Sequence, residues 1–211
     1  MARNEQARHA GESGSGFTVG VLALQGGFER HRGCLERLGV RVRLVRTPAD
    51  LQAIDALVIP GGESTAMLTL AGDRGLDALR RFVRERPTFG TCAGAILLAR
   101  AVDDPPQPAV GALDISIRRN AYGRQPQSSI RLGMLGDSPL EMVFIRAPRI
   151  ERVGPGVEVL AREGGDPVLV RQGHVMAATF HPELGDDTRV HQIFLETARN
   201  PFIDRLSARQ A

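Results

Sequence analysis

PTFGTCAGAILLAR, residues 87–100, reads as a short strand that turns at a single cysteine into a helix. Residues 87–90 have the texture of a strand, and residues 93–100 carry the apolar content of a buried helix. Gly90 and Gly94 stand two before and two after Cys92, the G-x-Nuc-x-G spacing of a nucleophile elbow with cysteine in place of serine. The nucleophile of such an elbow sits on a tight, strained turn, so only small flanking residues let strand and helix approach. Its sulfur also lies at a helix N-terminus, where the partial positive charge favours thiolate over thiol. Most cysteines are simply buried hydrophobes, and Cys34, at helical spacing in HRGCLERL, is read that way. The small flanks set Cys92 apart.

Working outward from the elbow, apolar strand-like runs alternate with amphipathic helical stretches. FTVGVLAL (17–24) is a buried strand, residues 28–38 a helix closed by Gly39, and VRVRLV (40–45) a half-exposed strand. Pro48 opens a helical turn, and DALVIP (55–60) is a buried strand ending at Gly61-Gly62. One helix follows from about Ser64, and a second, arginine-rich one is expected over 73–86. This order predicts an α/β fold with a mainly parallel central sheet and helices on both faces. After the proline-rich break DDPPQP (103–108) the texture changes to short strands: ALDISI, SSIRLGML, EMVFIRAP, VEVLAR, PVLVRQ and HVMAATF. Additional antiparallel strands are therefore expected in the C-terminal half, with a hairpin at Gln172-Gly173. A last amphipathic helix covers 188–199. One domain is expected over 17–200, flanked by a flexible polar extension (1–16) and a short tail (201–211).

Composition removes several functions. The 211 residues include 27 basic ones, every one arginine. Without lysine there is no Walker A loop and no Schiff base with a carbonyl substrate or pyridoxal cofactor. The arginines are interleaved with acids and aromatics are only 4%, which argues against a nucleic-acid surface. No apolar run approaches the roughly 20 residues of a membrane helix. The extension lacks the apolar core of a secretory signal, and two cysteines make no disulfide framework, so a cytoplasmic location is expected. No metal and no cofactor is expected.

A thiolate nucleophile needs a base that later protonates the leaving group. Of five histidines, His9 lies in the extension, His174 follows a turn, and His31 and His191 lie in helices without an evident acid partner. His181 stands in TFHPE (179–183), directly after an apolar strand. Pro182 restricts it to an extended conformation, in which Glu183, two residues on, projects to the same side. Glu183 can then reach one imidazole nitrogen and leave the other facing the thiol, an acid–base–nucleophile relay. A third segment, PGGEST (60–65), follows a buried strand. Its glycines free backbone N–H groups to face an oxyanion, and Glu63 suits the α-amino group of an amino acid. The plainer reading is a Gly-Gly turn with Ser64 capping the next helix.

FGTCAG, TFHPE and PGGES, in this spacing, resemble the class I (triad) glutamine amidotransferases, whose sheet is flavodoxin-like. LALQGG (22–27), RRNAYGRQ (118–125) and VFIRAP (143–148) narrow the resemblance to the glutaminase subunits of pyridoxal 5′-phosphate synthases, over about residues 17–200. Arg118 and Tyr122 stand where many relatives have an acid and phenylalanine. The resemblance implies Cys92 as nucleophile, His181 as general base and acid, and Glu183 as its orienter. It also implies an oxyanion hole from the backbone of Gly62 and Ala93, and glutamine contacts from Gly62, Glu63, Ser64, Arg119, Ile145 and Arg146. Arginines such as Arg119 and Arg146 otherwise read as surface ion pairs. The implied activity is hydrolysis of L-glutamine, weak until a partner synthase subunit docks, with the Gly61–Gly62 peptide reorienting on docking. The alternatives are a glutaminase serving another acceptor, such as imidazole glycerol phosphate synthase, and a non-catalytic interaction protein of the same fold.

Overall fold

In DALVI, Leu57 and Ile59 pack on one side of a sheet while Ala56 and Val58 pack on the other, and all four are fully buried. A strand apolar at successive positions belongs inside a layer covered on both faces, and that layer is the centre of the computed structural model of the protein. Residues 16–119, 121 and 129–200 are described. Apart from Gly16, the expected extension lies outside them, as do His9, the tail over 201–211, Asn120 and residues 122–125 of RRNAYGRQ.

The first half runs β1 (Thr18–Leu22), α1 (Phe28–Arg37), β2 (Arg41–Val45), β3 (Ala56–Ile59), α2 (Ser64–Glu85), β4 (Thr88–Thr91) and α3 (Ala93–Leu98). The second runs β5 (Ala99–Asp103), β6 (Leu113–Arg118), β7 (Ser129–Leu135), β8 (Ser138–Phe144) and β9 (Arg149–Val153). It continues with β10 (Glu158–Glu163), β11 (Asp166–Gln172), β12 (Val175–Ala178) and α4 (Arg189–Arg199). The large sheet has the order β2-β1-β3-β4-β12-β11-β10-β7-β8. From β2 to β12 neighbours are parallel; from β12 to β8 they are antiparallel. Residues of α1 and α4 pack into one face, and those of α2 and α3 into the other, together with a small sheet β5-β6-β9. The α/β class, the parallel core, the two helical layers and the antiparallel strands of the C-terminal half are those expected. The hairpin also falls where Gln172-Gly173 placed it: Gln172 pairs with Val175, and Gly173 takes a φ of +59°.

Four elements differ: α3, β5, α2 and β9. The helix expected over 93–100 ends at Leu98, because Ala99 turns to extended backbone and pairs with Leu113 in the small sheet. The two helices expected on either side of Gly72 form one element, interrupted where Gly72 adopts φ +59°. β9, with the sequence RIERV, was not expected; its alternation is masked by three charged residues exposed on a strand at the edge of the small sheet.

Candidate active site

The elbow is built as its spacing requires. Cys92 follows β4 with φ 47° and ψ −101°, a left-handed conformation that a side chain rarely adopts and that costs about 1–3 kcal/mol. The surrounding structure enforces it. Cys92 N–H donates to the Ala178 carbonyl at 2.8 Å, tying the bend to β12, and Ile96 N–H donates back to the Cys92 carbonyl at 3.1 Å. A Cβ on Gly90 would come within 2.5 Å of the Gly94 backbone, and one on Gly94 would run into the Ile59 carbonyl. Larger residues at either position would push α3 off the sheet. As the first residue of α3, Ala93 has an N–H without a partner in its own helix.

β12 lies beside β4 in parallel, so the segment after β12 arrives at the same end of the sheet as the elbow. There His181 Nδ1–H donates to Glu183 Oε1 at 2.7 Å, and the Cys92 side chain stands near enough to act on the same imidazole. The His–Glu contact is the expected one, but its geometry is not the extended one. Residues 182–184 form a single 3-10 turn, closed by Leu184 N–H to the His181 carbonyl at 3.3 Å, and the turn folds Glu183 back beneath the ring. Burial alone would lower the His181 pKa. Hydrogen bonds and negative charge from Cys92 and Glu183 outweigh it and push the pKa up to about 10. Glu183, also buried, is held below the usual carboxylate range by the two histidines beside it, His31 and His181.

Gly61 presses on this pair. A Cβ there would collide with the His181 ring and sit 3.3 Å from Cys92 Cβ, so only glycine fits. Its carbonyl accepts from Gly27 N–H at 3.0 Å, which anchors the Gly61–Gly62 peptide to the turn after β1. Helix α2 starts at Ser64, and its cap is Glu63 rather than Ser64. The Glu63 carboxylate accepts from Thr65 N–H at 3.1 Å and Ala66 N–H at 2.7 Å. Ser64 Oγ instead donates to Gln107 Oε1 at 2.9 Å. Arg119 Nη2 lies 3.3 Å from Glu63 Oε1 and 3.2 Å from Thr65 Oγ1. Partial burial would raise the Glu63 pKa, but the two backbone donors and Arg119 hold it below the ordinary value.

These residues enclose a cleft of ≈ 290 Å³, lined by Gly62, Glu63, Ser64, Cys92, Arg119, Ile145, Arg146 and His181, with Gln25 and Ile96. Every expected glutamine contact is on that wall; Ala93 and Glu183 stand behind it. Ile145 and Arg146 get there because the antiparallel half of the sheet returns. β8, the far edge strand, approaches the segment after β12 closely enough for His181 N–H to donate to the Val143 carbonyl at 2.8 Å. Arg146 turns sharply at φ 44°, and the Ile145 carbonyl lies 4.0 Å from Cys92 Sγ.

Two parts escaped the sequence reading. Gln25, inside LALQGG, accepts from Glu63 N–H at 2.8 Å and so fixes the loop after β3. His31 does have an acid partner: its Nε2 lies 3.3 Å from Glu183 Oε2, and its Nδ1 is 3.0 Å from His191 Nε2. No spacing rule connects positions so far apart in the chain. Cys34 is buried, as expected. Among the described residues, no group of three or more His, Cys, Asp or Glu is placed to hold a metal ion, and no helix is long and apolar enough to cross a membrane.

A sheet of this order, with a cysteine elbow after one parallel strand and a His–Glu turn after its neighbour, defines the class I glutamine amidotransferase fold. A crystal structure of a glutamine amidotransferase shares it with a TM-score of 0.81 and 49% identity, over 86% of this chain and 98% of that one. More narrowly, residues 21–200 match the SNO glutamine amidotransferase family, and the chain belongs to it. Among curated relatives, pyridoxal 5′-phosphate synthase subunit PdxT of Koribacter versatilis is 61% identical over 184 residues, 86% of this chain and 96% of the relative. The subunit of the same name from Thermus thermophilus is 54% identical over 185 residues, 85% of this chain and 97% of the relative. PurLQS from Thermotoga maritima, at 14% identity and a TM-score of 0.66, shares the fold alone.

Proposed function

We propose that the protein is the glutaminase subunit of a pyridoxal 5′-phosphate synthase: it hydrolyses L-glutamine at Cys92 and passes the ammonia to a synthase chain. The observation that carries this reading is one imidazole, His181, hydrogen-bonded to Glu183 and sharing with Cys92 the wall of an amino-acid-sized cleft. The names of relatives that are 61% and 54% identical support the choice of acceptor. Residues 17–200 form the glutaminase unit in this reading.

The chemistry runs in two halves. The Cys92 thiolate attacks the side-chain amide carbon of glutamine, and the oxyanion is held by the N–H groups of Gly62 and Ala93. Such a donor is worth about 2.7–4 kcal/mol in a serine protease. The C–N bond then breaks, His181 gives its proton to the departing nitrogen, and ammonia leaves a γ-glutamyl thioester. Water, its proton taken by His181, attacks the thioester, the C–S bond breaks, and glutamate is released with the thiolate restored. Glu183 keeps the imidazole oriented and balances its positive charge. Arg119, Arg146, Glu63, Ser64 and Ile145 bind and orient the glutamine. Because Glu63 already caps α2 and pairs with Arg119, an α-ammonium group at that wall joins an existing charge pair.

Free ammonia is protonated and lost in bulk water, so the reaction is useful only with the acceptor docked. Glutamate release is measured with the chain alone, with a pyridoxal 5′-phosphate synthase partner, and with an imidazole glycerol phosphate synthase partner. Stimulation by the first, and its loss by on the order of a thousandfold in Cys92→Ala, is expected. An unchanged rate in that variant removes the catalytic assignment, and stimulation by the second partner alone changes the acceptor.

A further inference from the structure

Behind the site, α1 and α4 bring two more histidines against it, and the hydrolysis described above uses neither. His31, fully buried on α1, has Nε2 3.0 Å from Thr91 Oγ1 and 3.3 Å from Glu183 Oε2. Its Nδ1 lies 3.0 Å from Nε2 of His191, which is fully buried on α4. The two carboxylate oxygens of Glu183 differ. Oε1 accepts from His181, whereas Oε2 is buried and, among the described residues, has no hydrogen bond of regular geometry. The nitrogen that faces Oε2 belongs to His31.

We propose that His31 is a positioning residue, held as a neutral ring protonated on Nε2, which secures the free oxygen of Glu183 while His191 fixes that tautomer from behind. The inference rests on the triad reading, since it matters only if Glu183 orients His181.

Proton counting leads to this arrangement. With the proton on Nε2, His31 offers its N–H to Glu183 Oε2 and Thr91 Oγ1, and Nδ1 is an acceptor. His191 must then donate from Nε2, which leaves its Nδ1 a bare acceptor, and that atom is buried without a partner among the described residues. The opposite arrangement turns a lone pair of His31 toward a carboxylate and strands a buried N–H on His191, and both are worse. Burial keeps both rings from charging, against the pull of Glu183; His181 acts on His31, and Arg37 on His191, in the same direction as burial. A neutral donor in this place restrains a carboxylate without competing with the imidazolium of His181 for its charge. Thr91 adjoins Cys92 in the chain, so the same ring links the elbow to the acid.

The test has two arms. On the unaltered protein, ¹⁵N spectra of the histidine rings should show His31 and His191 neutral, each protonated on Nε2, at pH 7. An Nδ1-protonated or cationic His31 overturns the proposal. In the second arm glutaminase turnover is measured with the synthase partner for His31→Leu and His31→Gln, with Cys92→Ala as reference. Loss of the donor should lower kcat by roughly tenfold to a hundredfold, the scale of a slightly misplaced reacting group, with KM for glutamine within about twofold. His31→Gln, whose amide N–H reaches the Nε2 position, should recover most of that loss. A His31→Leu enzyme with the kcat of the unaltered protein, or a His31→Gln enzyme no better than it, discards the relay while an inactive Cys92→Ala leaves the triad standing. An active Cys92→Ala removes the triad itself.

Discussion

The proposed chemistry turns on the balance at His181. Desolvation pulls its proton off, and the sulfur and carboxylate on either side hold it on and win, leaving the pKa at about 10. In the proposed mechanism the ring is thus cationic through the neutral range and protonates the departing amine, a role it loses as pH rises through that value. Glutamine turnover with the synthase should therefore hold to about pH 9 and fall near pH 10. Glu183→Gln removes one of the two anionic neighbours and should move the alkaline limb down by about one pH unit or more. A limb that stays in place shows that Glu183 does not set the charge of His181. At this scale the sequence was uneven. Cys92 stood out because its neighbours must be small, and His181 because a proline and an acid follow it. His31 and His191 did not, because a histidine in a helix looks the same whether it faces a core or a carboxylate; only packing decides.

At the scale of elements, three strand ends build the site: β3 delivers the Gly61–Gly62 turn, β4 the cysteine, and β12 the His–Glu turn. All three belong to the parallel part of the sheet, where the crevice at the C-terminal ends of the strands is the usual ligand position. Their approach is so close that Gly61 has no room for a methyl group. Gly61→Ala should reduce glutaminase turnover by on the order of a hundredfold, because the added Cβ displaces the imidazole, while thermal unfolding of the variant stays cooperative. Near-normal turnover in that variant would show that the loop has slack the packing does not reveal. The runs of β1 and β3 were legible because burial on both faces makes almost every position apolar. The strands β5 and β9 were not: they lie in a small sheet whose exposed residues are mostly charged, and α3 ends at a point set by pairing with β6 rather than by any stop signal.

Across the whole molecule, the layer of α1 and α4 buries groups that resist charging. His191 in the folded protein takes up a proton only near pH 3, because burial lowers its pKa, whereas an unfolded histidine does so near 6.5. Between these values the unfolded chain binds the extra proton, so stability falls as pH drops below about 6.5, by about 1.4 kcal/mol per pH unit for such a group. His31, lowered for the same reason, adds to the slope. Urea midpoints between pH 7 and 4 should therefore fall steeply, and His191→Phe should show a shallower fall; equal slopes would mean that His191 is not held neutral. The return of β8 to the site is also a property of the whole. VFIRAP could be recognised as a motif, but nothing in its residues says that the far edge of a curving sheet comes back to meet Cys92. The register of five successive strand pairs determines that.

The central claim is a covalent bond between Cys92 and the carbon skeleton of glutamine. Acid quenching of the protein during turnover of glutamine with its synthase, followed by peptide mass spectrometry, reads this directly. The account predicts an added γ-glutamyl group on the peptide containing Cys92, absent from Cys92→Ala and from protein quenched without glutamine. Glutamate release at full rate with the label on Cys34, or with Cys92 unmodified at every quench time, would contradict it.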